Sequence, residues 1–185
     1  MVRQFVWVIV FSLLLVTHES AAYNLQAGAE TLHVDIPSSW ALGSSRETSS
    51  EKIYKFIPSN VSMQNWDQMI IVQQIIDAGM KTPVDHASQI QQAYQDFYQS
   101  VETHPVGMRN DSGFPTTLLI ASCLKSESEM HYIMTKIIKG KRSMFVVQRL
   151  VRFDPSKQFM PSRRDFRENI LPIMQTARLL KEDRA

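Results

Sequence analysis

Two apolar segments on either side of a four-residue basic turn restrict this chain more than anything else in it. Met130 to Ile138 and Met144 to Phe153 flank Lys139, Gly140, Lys141 and Arg142, the pattern of a β-hairpin with a basic tip. The second arm has Phe145, Val147, Val151 and Phe153 on one face and Val146 and Leu150 on the other. Side chains alternate between the two faces of a sheet, so an arm that is apolar on both is a central strand covered on both sides. Thr116 to Cys123 is a near-continuous apolar run of strand length and implies a second interior strand.

Shorter signals fill in the rest. Thr31 to Ile36 alternates Leu32, Val34 and Ile36 with Thr31, His33 and Asp35, a half-buried strand ended by Pro37. Lys52 to Ile57 is a second strand, closed by Pro58. Gln68 to Ile76 suits either a helix face or a covered strand, and its β-branched run Ile70, Ile71, Val72 favours the strand. Ser38 to Ser50 offers only Trp40 and Leu42 for burial and reads as a surface loop.

Thr82, Pro83 and Asp85 form a capping box with proline in the first turn, which starts a helix. Its stripe of Val84, Ala87, Ile90, Tyr94, Phe97 and Val101 runs to a stop at His104 and Pro105, and residues 105–115 read as a turn-rich loop. A last helix opens at Ser162 with Asp165 and aligns Phe166, Ile170, Ile173, Met174, Ala177 and Leu180. Pro172 inside it should kink or divide the helix, at about 3 kcal/mol unless the bend is wanted. Two helices and about six strands that are apolar on both faces give an α+β domain, a mostly antiparallel sheet with one helix on each face in an α/β/α sandwich.

The N-terminus has the layout of a secretory signal: basic Arg3, apolar Phe5 to Val16, then polar residues leading to Ser20, Ala21 and Ala22. The apolar stretch is shorter than the roughly 20 residues a membrane-crossing helix needs. Residues 1–22 are therefore expected to be removed, leaving 23–185 as a single globular domain with no transmembrane segment. Cys123 is the only cysteine and cannot close an intrachain disulfide, so it reads as a small buried residue, with a reactive thiol or an intermolecular bridge as the alternative.

Charge is unevenly spread: residues 23–124 carry 5 basic and 10 acidic side chains, whereas residues 125–185 carry 14 basic and 7 acidic. Lys139, Lys141 and Arg142 at the hairpin tip, with Arg163, Arg164 and Arg167 at the start of the last helix, form the candidate binding patch for an acidic or anionic partner. Trp40 and Trp66 are possible aromatic anchors, weighed against a place in the core. His33 and Asp35 share one strand face and could hold a metal, but a third ligand is not evident and no metal is expected. Glycine-rich phosphate loops, GxSxG and Cys-centred nucleophile motifs are missing, so no cofactor, no nucleotide and no catalytic residue is assigned. Nucleic acid is disfavoured because the aromatics lie on apolar stripes instead of interleaving with the basic residues.

Phe56-Ile57-Pro58, then Asn65, Trp66 and Met69, then the hairpin from Ile138 through Gly140 to Arg149, resemble a group of exported proteins of Gram-negative bacteria. More distantly these residues resemble the fold of the photosystem accessory protein PsbP and the Ran-binding protein Mog1. The resemblance supplies no catalytic residue to carry over. It implies a non-catalytic module for binding or assembly, exported to the periplasm or onward to the medium, whose partner is another protein or an anionic envelope component. Two alternatives stay open: a secreted virulence or host-contact factor, and an extracytoplasmic hydrolase with a dispersed His/Asp site.

Overall fold

The computed structural model describes residues 20–27, 30–157 and 170–181. Ten strands and two helices follow in the order β1 (Ser20–Ala27), β2 (Glu30–Pro37), β3 (Trp40–Glu47), β4 (Glu51–Pro58), β5 (Gln68–Ile75), α1 (Pro83–Phe97), β6 (Ser100–Asp111), β7 (Phe114–Ser126), β8 (Glu129–Lys139), β9 (Met144–Phe153), α2 (Leu171–Thr176) and β10 (Arg178–Lys181). Seven strands form one antiparallel sheet in the order β3-β4-β5-β9-β8-β7-β6, and β1-β2-β10 form a second, three-stranded one. β9 lies between β5 and β8, the central place its two apolar faces require.

The small sheet and α2 pack on one face of the large sheet. Leu32, Val34 and Ile36 of β2, Ile173 and Met174 of α2 and Leu179 of β10 meet Phe56, Ile70, Val72, Met134, Ile138, Phe145 and Val147 there in one buried cluster. α1 covers β6, β7 and β8 on the opposite face, and the β4–β5 connection brings Val61, Met63 and Trp66 over Ile57, Met69, Ile133 and Leu150. The capping box is present as expected: Thr82 Oγ1 accepts from the Asp85 amide at 3.1 Å, and the Asp85 carboxylate accepts from the Thr82 amide at 2.9 Å.

Several expectations are corrected. Residues 40–47 are the edge strand β3, not part of a loop. Almost every side chain of β3 is exposed, so it has no buried face to impose a period of two, and only its backbone pairing with β4 reveals it. Gly43 stands at its bulge, where a Cβ would run into Met63 and Ile57.

Likewise α1 ends at Phe97, and the expected loop 105–115 is mostly β6 paired to β7. Tyr98 turns extended at the helix end, and β6 is an edge strand, so Pro105 is tolerated and Gly107, at φ +26°, sits in a bulge.

The last helix also ends earlier than expected, at Thr176. Residues 158–169, with the expected start at Ser162, lie outside the described residues; among the described residues Pro172 stands in the first turn of α2. Ile170, Ile173, Met174 and Ala177 are buried as their spacing predicts. The chain then extends as β10 along the free edge of β2, so Leu179 is 2 % exposed while Leu180 is 41 % exposed. Among the described residues, α1 lies on one face of the seven-stranded sheet and a small sheet with α2 on the other.

Candidate functional site

The hairpin tip is held from two sides. Gly140 N–H donates to the Ser143 carbonyl at 2.9 Å and closes the turn. Buried Glu30, the first residue of β2, accepts the Lys141 amide on both carboxylate oxygens at 3.0 Å, fastening the small sheet to the tip. A Cβ at 140 would meet that carboxylate and force it to shift. On the other side the tip meets the β5–α1 turn. Ala78 N–H donates to the Arg142 carbonyl at 3.1 Å, Lys139 Nζ donates to the Gly79 carbonyl at 2.8 Å, and the Arg142 guanidinium lies 3.4 Å from the Asp77 carboxylate.

Of the predicted basic patch, Lys139 is thus spent on the backbone, while Lys141 and Arg142 project into solvent. The Arg142–Asp77 pair is a surface contact, with side chains 85 % and 69 % exposed, of a kind that contributes about 0–1 kcal/mol. Arg163, Arg164 and Arg167 lie outside the described residues. What the sequence did not bring to the tip is its apolar neighbour. Met80 is 99 % exposed on the β5–α1 turn, followed by exposed Lys81 and by Val84 in the first turn of α1.

His33 and Asp35 do stand together, His33 Nε2 lying 3.1 Å from Asp35 Oδ1. The third neighbour is Asn24, whose Oδ1 is 3.0 Å from His33 Nδ1, and no group of three metal-binding side chains occurs among the described residues. Trp40 and Trp66 are half-buried and each lies against an arginine, Arg149 at 4.6 Å and Arg152 at 4.9 Å from the ring centre. Cys123 is a free buried thiol whose pKa burial pushes up to about 11, which keeps it protonated and unreactive.

Two buried cations were not singled out from the sequence. Lys136 interrupts the apolar run of β8, and its ammonium uses all three of its protons: Asp111 Oδ2 at 2.5 Å, the Met174 carbonyl at 3.0 Å and the Ala177 carbonyl at 2.6 Å. It pins the C-terminal end of α2, where the last carbonyls lack partners of their own. Arg149 is 2 % exposed on β9. It donates to the Leu150 carbonyl at 3.1 Å and to the Gln68 side chain, leaves its Nε unpaired, and burial lowers its pKa to about 10. A lone charge inside an apolar strand pattern was the available signal for both, since such a group is buried only with partners.

On the α1 face Tyr98, His131 and Glu129 form a hydrogen-bonded chain. Tyr98 Oη is 2.7 Å from His131 Nδ1, and His131 Nε2 is 2.8 Å from Glu129 Oε1. Burial raises the Tyr98 pKa well above its ordinary value, which disfavours the phenolate a nucleophile would need.

Comparison with protein-family models gives no match, and neither does comparison with curated protein sequences. Among solved structures the chain is similar to cyanobacterial PsbP (CyanoP) from Synechocystis sp. PCC 6803, with a TM-score of 0.53 at 8 % sequence identity over 90 % of this chain and 95 % of that chain. At that identity the likeness is one of architecture, and the chain has a PsbP-like fold.

Proposed function

We propose that this chain is a non-catalytic exported module for binding or assembly, which meets a partner protein or an anionic envelope component at the end of the large sheet formed by the β8–β9 tip and the β5–α1 turn. The observation that carries this reading is the fully exposed Met80 side chain next to a tip whose backbone is held by Glu30 and Ala78 and whose Lys141 and Arg142 side chains point to solvent. A rigid basic platform with one apolar knob suits a partner that is acidic around a small apolar recess. The hydrolase alternative needs a third reactive group beside His33 and Asp35, where the structure supplies Asn24.

Export rests on the signal-like N-terminus, and the burial pattern is compatible with cleavage after Ala22. Ser20, Ala21 and Ala22 are exposed, whereas Tyr23 packs on Tyr54 and Phe56 and Leu25 is buried. Loss of the first three residues of β1 therefore removes no core side chain. The expected address is the periplasm, and the host-contact alternative uses the same surface in the medium. Fractionation of the native host into periplasm, membrane and medium, with N-terminal sequencing of the recovered protein, separates these.

The binding test compares the wild-type chain with a K141E/R142E/M80S variant in pull-downs from the native envelope fraction and in co-sedimentation with vesicles containing anionic phosphatidylglycerol. Loss of a partner or of vesicle binding in the variant is expected. Retention of both at wild-type level would remove this surface from consideration.

A further inference from the structure

A cleft of about 390 Å³ opens between α2 and the strands β6, β7 and β8, where the cover of the small-sheet face runs out. That volume lies within the range of small-molecule sites. Leu118, Leu171 and Met174 supply its apolar lining, and exposed Arg109, Asn110 and Gln175 supply polar groups beside them.

The charges around this cleft decide what it can hold. Lys136 lines it but has no proton to offer, its three being given to Asp111, Met174 and Ala177. Its charge is balanced by Asp111, which also lines the cleft. Thr116 Oγ1 donates to the Phe114 carbonyl and so presents lone pairs only. The remaining cation is Arg109, which forms no ion pair among the described residues and carries a planar fork of donors that matches a carboxylate.

We propose that this cleft binds a small amphipathic monocarboxylic acid, with its apolar body on Leu118, Leu171 and Met174 and its carboxylate on Arg109. The Arg109 guanidinium, without an ion pair among the described residues, satisfies one carboxylate, and Lys136 has no proton left for a second, so a dianion would bring an unpartnered charge and is disfavoured. The site is separate from the basic tip and stands whether or not the tip binds a partner.

The test uses the full mature chain and octanoate as the probe, titrated by calorimetry and by amide NMR, with octanol and the dicarboxylate suberate beside it. Saturable octanoate binding is expected, with shifts centred on residues 109–118 and 171–175 and weaker binding of the other two. R109Q, at an exposed position that does not threaten folding, should weaken octanoate about tenfold or more, as loss of a hydrogen bond to a charged group does. Absence of saturable binding at millimolar octanoate, equal affinity for octanol, or an unchanged R109Q would each overturn the proposal.

Discussion

The two faces of the large sheet are covered by different parts of the chain, and their interiors differ accordingly. The α1 face is covered by sequence neighbours: α1 lies between β5 and β6 in the chain, and the remainder of the face is closed by the β4–β5 connection. Its two tyrosines reach down with polar tips, so the strands beneath carry polar groups to meet them. Tyr94 Oη accepts from the Gln148 side chain at 2.7 Å, and Tyr98 meets His131. The opposite face is covered by the two ends of the chain, β1 and β2 from the start and α2 and β10 from the end. Sheet packs on sheet there, and the shared cluster is apolar. Cover assembled from afar leaves an apolar centre with the buried cations Lys136 and Arg149 at its margins, while cover from one helix keeps polar contacts beneath the helix itself.

Adjacent residues on β8 test that contrast with identical chemistry. Ile138 faces the small sheet and Ile137 faces α1, and both are buried to 1 % or less. Truncation of a buried isoleucine to alanine costs about 2–5 kcal/mol, depending on how far the surroundings can collapse. I138A, held between two sheets, is expected at the upper end, and I137A at the lower end because α1 is a single helix that can settle onto the cavity. Urea unfolding of the two variants gives the comparison directly. A larger loss for I137A would show that α1 is the more rigid cover.

Lys136 lies at the margin of the small-sheet face, and its removal is expected to come next in size. K136M leaves the Met174 and Ala177 carbonyls and the Asp111 carboxylate without their donor. Breaking a buried pair from one side costs about 3–5 kcal/mol, and about 3 is expected here because the Asp111 side chain is 36 % exposed and can be rehydrated. The loss should fall on α2 and β10, read as faster amide exchange there, with β6 to β9 still protected. Equal loss of protection across both sheets would deny that Lys136 acts as a local pin.

The same contrast explains what the sequence could convey. The hairpin β8–β9, the interior strand β7 and the start of α1 are legible because their signals are local: alternation, an apolar run, a capping box. β3 carries no buried face and so no period, and β6 hides behind turn-forming residues such as Pro105 and Gly107 that an edge strand tolerates. Leu179 and Leu180 look alike on a helical stripe, and only the free edge of β2, about 150 residues earlier in sequence, decides that the chain extends and buries the first of them. Lys141 and Arg142 were legible as a basic tip. Met80 was not, because nothing local distinguishes an exposed methionine from a buried one, and the Lys136–Asp111 pair depends on strands that only the fold brings together.

The smallest expected effect concerns pH and belongs to the α1 face alone. His131 is buried against Tyr98 at the end of α1, Glu129 on its own strand, Lys125 on β7 and Arg152 on β9. Burial lowers its pKa below the ordinary 6.5, and the Glu129 carboxylate only partly opposes this. The neutral ring donates from Nε2 to Glu129 and accepts the Tyr98 hydroxyl proton at Nδ1, a pairing that protonation of Nδ1 would break. Between 6.5 and its lower folded pKa the unfolded chain binds a proton that the folded chain refuses, so its stabilising contribution is complete above 6.5 and declines as pH falls through the folded value. Half-buried His86 on α1 is shifted in the same direction by burial, whereas His33 lies on the small sheet in partial contact with solvent. Amide exchange at pH 7.5 and 5.5 should therefore show the end of α1 and residues 129–133 loosening before β2 and β10, with the difference reduced in H131Q. Earlier loosening of β2 and β10, or an H131Q variant with the wild-type pH response, would place the acid-sensitive element on the other face.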